Sequence, residues 1–169
     1  MKKSLLTAFA LILAGAFIAL AAPEEKKASA PKKAAAMKTH KVVAEGDIQW
    51  GDAPPSLPPG AKMAVLAGDP GKPGAYTIRL KAPDGFKVAA HWHPADENLT
   101  VISGEFNLGT GDKLDESKAD SMKPGAFALM PARMHHYAWC KGETEVQVYG
   151  NGPFKLIYVN ADDDPSKKK

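Results

Sequence analysis

Short β-like runs alternate with turn-forming residues from about Lys41 to Asn160, and this rhythm constrains the fold more than any other feature. The runs are YTIRLKA, FKVAAHWH, LTVISGEFNLGTG, AFALMPA, HHYAWC, TEVQVYG and FKLIYV, and the segments APDG, KPG, KGE and NGP lie between them. Gly, Pro, Asn and Asp favour turns, and β-branched and aromatic residues favour strands. Seven or eight strands at this spacing predict one all-β domain, an antiparallel sandwich or barrel, and not an α/β fold.

Two segments inside this domain are expected to differ from the strands. Residues 115–122 (DESKADSM) could form a turn or two of helix, because they lack the alternation of a strand. Residues 46–70 are rich in proline. Proline favours extended backbone without a sheet partner, so this segment is expected to pack as an arm along the body of the domain.

The ends of the chain predict export. Lys2 and Lys3 precede an apolar run from residue 5 to residue 20, with small residues after it, so residues 1–21 are interpreted as a cleaved signal peptide. The alternative is an uncleaved membrane helix. Residues 22–41, built mainly of Ala, Lys and Pro, are expected to be a disordered linker, and residues 162–169 a flexible charged tail. The domain at 42–161 is thus predicted to be periplasmic or secreted, with no stable membrane span after cleavage.

The basic charge of the chain belongs to its ends. Of the 22 Lys and Arg residues, eight lie in residues 1–41 and three end the chain, which leaves eleven in residues 42–161. Of the 19 Asp and Glu residues, five lie in the same two ends, which leaves fourteen in the domain. A nucleic-acid partner is not expected, because the domain lacks an excess of basic residues. The single cysteine, Cys140, cannot form an internal disulfide and is expected to be a small buried residue.

The segment AAHWHPADENLT, residues 89–100, contains two of the five histidines. Side chains alternate along a strand, so His91 and His93 should point to one side and Trp92 to the other. Pro94 to Asp96 can turn the chain, which would return Glu97 to the side of the two imidazoles. The segment is therefore either a polar patch at a strand end or most of a metal site.

The spacing in this segment resembles the first signature of the cupin family. Gly85 is followed after five residues by His91, after one more by His93, after three by Glu97 and after six by Gly104. The second cupin signature is similar to residues 125–140, where Gly125, Pro131 and His136 occupy the family positions. Arg133 stands where cupins usually have Gly, and Cys140 where they have Asn.

The resemblance implies a cupin barrel, which is an antiparallel double-stranded β-helix or jelly roll. It also implies one divalent transition metal ion (Fe, Mn, Ni, Cu or Zn), held by His91, His93, Glu97 and His136. Three imidazoles and one carboxylate suit such an ion and leave two octahedral positions open. Glu97 has a second expected role, as a catalytic residue that accepts a substrate proton.

Weaker expectations concern the neighbours of His136. Strand parity turns Met134 inward as core or pocket wall, and Arg133 could reach an anionic substrate from the rim. His135 should face outward, although it is the alternative fourth ligand if the register shifts by one. The large apolar residues Phe127, Leu129, Tyr149 and Phe154 are expected in the core or the pocket. Trp92, Tyr137 and Trp139 on outer faces make a homodimer plausible, although the proline-rich arm could equally cover them.

Two classes of function remain open. The first is a metal-dependent enzyme for a small oxygen-bearing organic substrate, of the dioxygenase, decarboxylase or isomerase type found among similar cupins. The second is a non-catalytic periplasmic module that binds a metal or small ligand and contains a structural Zn. The sequence has no Gly-x-Ser-x-Gly elbow, phosphate-binding loop or dinucleotide fingerprint, so any chemistry is assigned to the metal.

Overall fold

Nine strands and a few 3-10 turns form the regular structure of residues 40–168, which are the residues that the computed structural model describes. The strands are β1 (Gly51–Asp52), β2 (Lys62–Ala67), β3 (Gly74–Ala82), β4 (Lys87–Trp92), β5 (Glu97–Thr110), β6 (Asp120–Met122), β7 (Phe127–Met130), β8 (His136–Gly152) and β9 (Ile157–Tyr158). All strand pairs are antiparallel, so the all-β prediction is confirmed. The predicted signal peptide and nearly all of the predicted linker lie outside the described residues.

The strands fold into two sheet halves that share β5 and β8. In one half, the strand order is β3, the end of β8, the start of β5, and β7. Here residues 144–152 of β8 pair with β3, and the start of β5 pairs with the end of β8 on one side and with β7 on the other. In the other half, β9 pairs with β4, β4 with the start of β8, and the end of β5 with β6. This arrangement is a jelly-roll barrel, as the cupin resemblance implies.

The two long strands pass from one half to the other at glycines. Gly104 in β5 and Gly142 in β8 have φ angles of 77° and 73°, where a side chain causes strain. A Cβ on Gly104 would also collide with the carbonyl oxygen of Glu143. The register between β5 and β8 shifts on both sides of Ser103. The glycines therefore let each strand bend without losing its partner, and this bend places both halves around one interior.

The barrel interior is packed by apolar side chains from both halves. The main cluster consists of Tyr76, Ile78, Leu99, Val101, Met122, Met130, Val146 and Val148. A second, smaller cluster joins Leu57 to Val88 and Tyr158. Burial of apolar surface on this scale is the dominant stabilising contribution to such a fold. The second cluster brings the proline-rich segment into the interior, and it borders the site described below.

Several local predictions are corrected by the structure. The runs HHYAWC and TEVQVYG are one strand, β8, because the chain bends at Gly142 and does not turn back. Residues 115–122 form a single 3-10 turn, Glu116–Lys118, and then β6. The proline-rich segment is not only an arm, since β1 and β2 within it join the sheet.

The charged tail folds as far as residue 168 into two 3-10 turns, Ala161–Asp163 and Pro165–Lys167. The side chains of Asn160 and Asp164 accept hydrogen bonds from the backbone of each turn. The flexibility predicted for this tail stays a prediction. Residues 40–168 contain no helix of the length and apolarity that crossing a membrane requires.

Candidate metal centre

Four polar side chains converge at one end of the barrel interior. His91 lies near the end of β4, His93 follows that strand directly, Glu97 begins β5 and His136 begins β8. His91 and His136 are directly paired across β4 and β8. All four residues are buried, although a histidine or glutamate is rarely buried without a partner.

The imidazole rings of the three histidines share one orientation relative to the backbone. Each Nδ1 lies against a carbonyl oxygen: His91 at 2.8 Å from that of Ala89, His93 at 2.7 Å from that of Lys155, and His136 at 3.0 Å from that of Met134. A carbonyl oxygen only accepts hydrogen bonds, so each Nδ1 carries a hydrogen and donates it. In the neutral ring, the lone pair is then on Nε2. Such second-sphere hydrogen bonds fix the tautomer of metal-binding histidines.

The free ring nitrogens meet inside the barrel. One ligand atom from each histidine lies within 4.8 Å of the others. The Nε2 atoms of His93 and His136 are buried without a hydrogen-bond partner. The Oε2 atom of Glu97 is 3.4 Å from the first and 3.5 Å from the second, which is close but not aligned for hydrogen bonding. Donors that share one ion at bond lengths of about 2.1 Å lie roughly 3.0–3.5 Å apart. The three histidines therefore form a group that could hold a metal ion, and Glu97 has this spacing to two of them.

The electrostatics of the cluster also favour a cation. Burial raises the pKa of Glu97, but the neighbouring His93 and His136 outweigh it and hold the pKa of this carboxyl well below its usual range. Burial lowers the pKa of His93, yet the carboxylate of Glu97 raises it overall. Burial and the two other histidines lower the pKa of His91 to about 3. The cluster thus combines an ionised carboxylate with at least one neutral imidazole, as divalent first-row transition metals require.

A small cavity of about 60 Å³ adjoins the four donors. Its walls are mostly apolar and come from strands of both sheet halves, from Leu57 and Ala61 of the proline-rich segment, and from Phe154 and Leu156 before β9. The Phe154 ring stacks on the ring of His93 with centroids 5.3 Å apart. The site is therefore a polar cluster inside an apolar chamber, closed from water on most sides.

Residues 15–157 match the family described as a domain of unknown function, DUF4437. The chain belongs to this family. No curated protein matches the chain. Many solved structures resemble this DUF4437 protein in fold, and the three described below do so at 14–18% sequence identity.

Three structures illustrate the likeness. The polyketide cyclase RemF from Streptomyces resistomycificus is 16% identical with a TM-score of 0.57, over 76% of this chain and 92% of that one. KdgF from Halomonas sp. is 18% identical with a TM-score of 0.53, over 67% of this chain and 94% of that one. An RmlC-like cupin from Shewanella frigidimarina is 14% identical with a TM-score of 0.52, over 67% and 91%. The DUF4437 chain therefore has the cupin fold.

The two weaker substrate candidates do not reach the cavity of this DUF4437 protein. Arg133 and Met134 lie in the turn before β8, and both are exposed. Met134 is 39% exposed and its carbonyl oxygen, not its side chain, contacts His136. The inward position predicted for Met134 is wrong, because strand parity was extended to a residue that precedes the strand.

Arg133 contributes to the site through its backbone conformation and its N–H, and not through its side chain. Its φ angle is 66°, in the left-handed region that glycine adopts most readily, and cupins usually have Gly there. Its N–H donates to the carbonyl oxygen of His93 at 2.8 Å. The turn of the second motif is thereby tied to the first motif beside the candidate metal ligands.

Of the two neighbours of His136 that were predicted to face outward, His135 points away from the cluster and Tyr137 is buried. His135 faces away from the cluster, and its Nδ1 is 2.6 Å from the carboxylate of Asp112, as expected for an outward residue. Tyr137 is only 1% exposed, because its hydroxyl donates to the carbonyl oxygen of Asp115 in the covering loop. It is therefore not available for the dimer surface that the sequence suggested.

Three large apolar residues expected in the core or pocket are on the outer surface. Phe127, Leu129 and Tyr149 are exposed, and only Phe154 of that group packs inside. Sequence reasoning also missed Leu57 as a cavity wall and the three carbonyl oxygens that orient the histidines. A single leucine among prolines was a weak signal that Leu57 lines the cavity. The pattern of side chains carries no signal for the backbone carbonyl oxygens that orient the histidines.

Proposed function

We propose that the protein is an exported metal-binding cupin that acts as a metal-dependent enzyme on a small oxygen-bearing organic substrate. The reaction would be of the dioxygenase, decarboxylase or isomerase type. The observation that carries the proposal is the set of inward Nε2 atoms beside Glu97, two of them without partners, at the wall of a cavity. RemF, which shares the fold, is a polyketide cyclase. The fold is therefore compatible with an enzyme, while the reaction is set by the site, since one fold hosts many activities.

The chain's own residues would divide the work as follows. His91, His93, Glu97 and His136 would hold a divalent ion, which when bound supplies Lewis-acid polarisation of a substrate oxygen. The carbonyl oxygens at Ala89, Lys155 and Met134 hold the three rings in register. The apolar walls exclude water from the site, which strengthens electrostatic interactions inside it.

Glu97 is the one carboxylate among the residues that line the cavity in the described part of the chain. A proton released by a substrate in the cavity would therefore be accepted at its carboxylate oxygens. His93 and His136, at 3.4 and 3.5 Å from Oε2, keep the group ionised, so its oxygens are unprotonated, and a lowered pKa makes them weak bases that need a strongly acidic substrate proton. The catalytic role of Glu97 follows from this position and stays a prediction.

A non-catalytic periplasmic module with a structural Zn is the second candidate. The small closed cavity favours it, because four protein donors around Zn form a complete tetrahedral site without room for substrate. Export of the protein to the periplasm or the medium belongs to both candidates. It rests on the charged and apolar start of the sequence.

The first experiment is elemental analysis of the untagged protein purified from a periplasmic extract, together with two histidine variants. His136→Ala should lose the metal. His135→Ala, one residue away and outside the cluster, should keep it and serves as the matched control. Near-stoichiometric Fe, Mn, Cu or Ni followed by turnover in an oxygen-uptake and substrate screen supports the enzyme. Stoichiometric Zn without turnover supports the binding module, and no metal in either protein contradicts both.

A further inference from the structure

The cavity is polar at one end only. The four metal-binding candidates occupy that end, and the other side chains in the wall that carry a polar group are Thr144 with its hydroxyl, Cys140 with its thiol and Trp139 with its indole N–H. The Thr144 hydroxyl already contacts the carbonyl oxygens of Glu105 and Gly142 and the N–H of Glu105. The other walls are apolar, among them Val88, Phe106 and Leu108. A ligand thus finds most of its hydrogen-bonding partners at its head and mainly apolar contacts along its body.

The cavity also lacks a basic side chain among the residues described. Arg79 is bound to Glu145 at 2.8 Å, Lys87 contacts Glu116 at 2.5 Å, and neither lines the cavity. A carboxylate or phosphate on the body of a ligand would therefore be buried without a counter-charge. Burying an unpaired charge is far more costly than burying an apolar group.

The enclosed volume is too small for more than a minimal ligand. About 60 Å³ is less than half of the roughly 150 Å³ that holds a benzene ring in an engineered protein cavity. A larger hollow of about 370 Å³ lies outside, lined mainly by prolines and small residues, with Asp52 as the one charged residue in its lining. Leu57 and Ala61 line both spaces. The side chain of Leu57 is therefore part of the wall that separates the outer hollow from the metal end.

Leu57 is buried and belongs to the smaller of the two apolar clusters. It packs against Val88 and Tyr158, and its N–H closes a turn on Pro54 at 2.8 Å. The Tyr158 hydroxyl donates to the carbonyl oxygen of Ser56 at 2.9 Å, which anchors the segment beside the leucine. A rotation of the Leu57 side chain would join the two spaces without breaking either backbone contact.

We propose, on the basis of the proposed function, that the natural ligand is single-headed: an oxygen function at one end and an uncharged, apolar body. The head lies at the four donors, and the body extends past Leu57 into the proline-lined hollow. Leu57 is then a specificity-determining residue that opens for the ligand. Sugar acids, phosphorylated compounds and other molecules that are polar at both ends are excluded.

The test compares 4-methylphenol with 4-hydroxybenzoate, which have nearly the same size and differ in a methyl group and a carboxylate. Binding is measured by calorimetry and by quenching of tryptophan fluorescence, since Trp139 borders the cavity. Both the protein as purified and its metal-free form are used. We expect 4-methylphenol to bind at least tenfold more tightly in both forms. Equal or tighter binding of 4-hydroxybenzoate, or no binding of 4-methylphenol, would overturn the ligand class.

Leu57→Ala tests the entrance. The variant should bind 4-methylphenol with a several-fold faster association rate and accept 4-butylphenol at least as tightly. Leu129→Ala removes the same atoms from an exposed leucine and should change neither. Leu57→Val replaces Leu57→Ala if the larger truncation unfolds the barrel. A folded Leu57 variant with an unchanged association rate would contradict the role of this residue.

The outcomes also separate this inference from the proposed function. If the protein carries no metal or shows no turnover, the proposed function fails, and the metal-free binding data still decide the ligand class. If 4-hydroxybenzoate binds as well as 4-methylphenol while metal content and turnover are intact, the ligand class fails alone.

Discussion

Glu97 and Glu145 are the two acidic residues buried among those described, at 7% and 8% exposure, yet their surroundings differ. Glu145 lies on the outer face of the barrel, where Arg79 is 2.8 Å and Lys81 3.6 Å from its carboxylate. Glu97 lies inside, where its closest polar neighbours are two imidazoles at 3.4 and 3.5 Å. The first carboxylate has fixed positive charges as partners, and the second has groups that can share a proton or a metal ion.

This difference shows that burial alone does not identify a functional carboxylate. A buried charge with permanent counter-ions is explained by the fold itself. A buried carboxylate beside neutral imidazoles with free lone pairs has no such counter-ion. A metal cation bound between these groups would supply the missing positive charge. Among the described residues, no Lys or Arg lines the interior cavity, so no basic side chain there can balance the charge of Glu97.

Cys140 provides the largest expected effect, because its thiol is an ionisable group in the same interior but outside the cluster of four donors. Burial raises the pKa of its thiol to about 11, from an ordinary value of 9.0. The thiolate is the reactive form, so alkylation by iodoacetamide at pH 8 should be about 100-fold slower than for an exposed thiol. The rate should rise about tenfold per pH unit below pH 11. The protein unfolded in urea is the control, and a midpoint near pH 9 in the folded protein would indicate positive charge or water inside the barrel.

Glu97→Gln should weaken metal binding by roughly 10- to 100-fold, because a neutral amide replaces the anionic donor. Glu145→Gln is the matched control: the same chemical change at equal burial should leave metal affinity unchanged. Competition with a chelating dye measures both. Similar losses in the two variants would mean that Glu97 acts through stability and not as a ligand.

Glu145→Gln should instead lower the free energy of unfolding by about 1–3 kcal/mol, since Arg79 and Lys81 would keep their charges in a half-buried position. Urea unfolding of the metal-free protein measures this effect. Glu97→Gln, examined in the same way, should lose less, because its imidazole neighbours can become neutral. A larger loss for Glu97→Gln would reverse the comparison.

Arg133→Gly has the smallest expected effect, a gain in unfolding free energy of up to about 1 kcal/mol. The φ angle of 66° strains a residue with a Cβ, and glycine removes that strain at some cost in chain entropy. Arg133→Ala keeps the strain and removes the guanidinium, so its stability should not change. Thermal unfolding separates the two variants, and a stability loss on Arg133→Gly would assign a structural contact to the guanidinium.

The sequence allowed much of the site to be predicted, because metal-ligand spacing in a strand and turn is a local property. His91, His93 and Glu97 lie within seven residues, so alternation along β4 and one turn nearly determine their convergence. The position of Met134 could not be predicted in this way, because it depends on where β8 begins. Strand ends are set by hydrogen-bond partners elsewhere in the chain.

The fold class was predictable from the turn spacing, but the number and length of the strands were not. A positive φ at Gly142 lets β8 continue through what reads as a turn. The exposed Phe127 and Leu129 show a related limit. Apolar residues on the outer face of an edge strand carry the same sequence signal as core residues, and only the pairing of β7 with β5 distinguishes them.

The sharing of β5 and β8 by both sheet halves has a consequence for folding. Neither half is complete without the other, so the barrel should fold in one cooperative step with slow kinetics, as expected when most contacts join distant parts of a chain. The four candidate ligands lie in β4, directly after it, and at the first residues of these two strands. The cluster therefore assembles only when the barrel has closed, and an ion bound there should act chiefly by slowing unfolding and extending the lifetime of the native state.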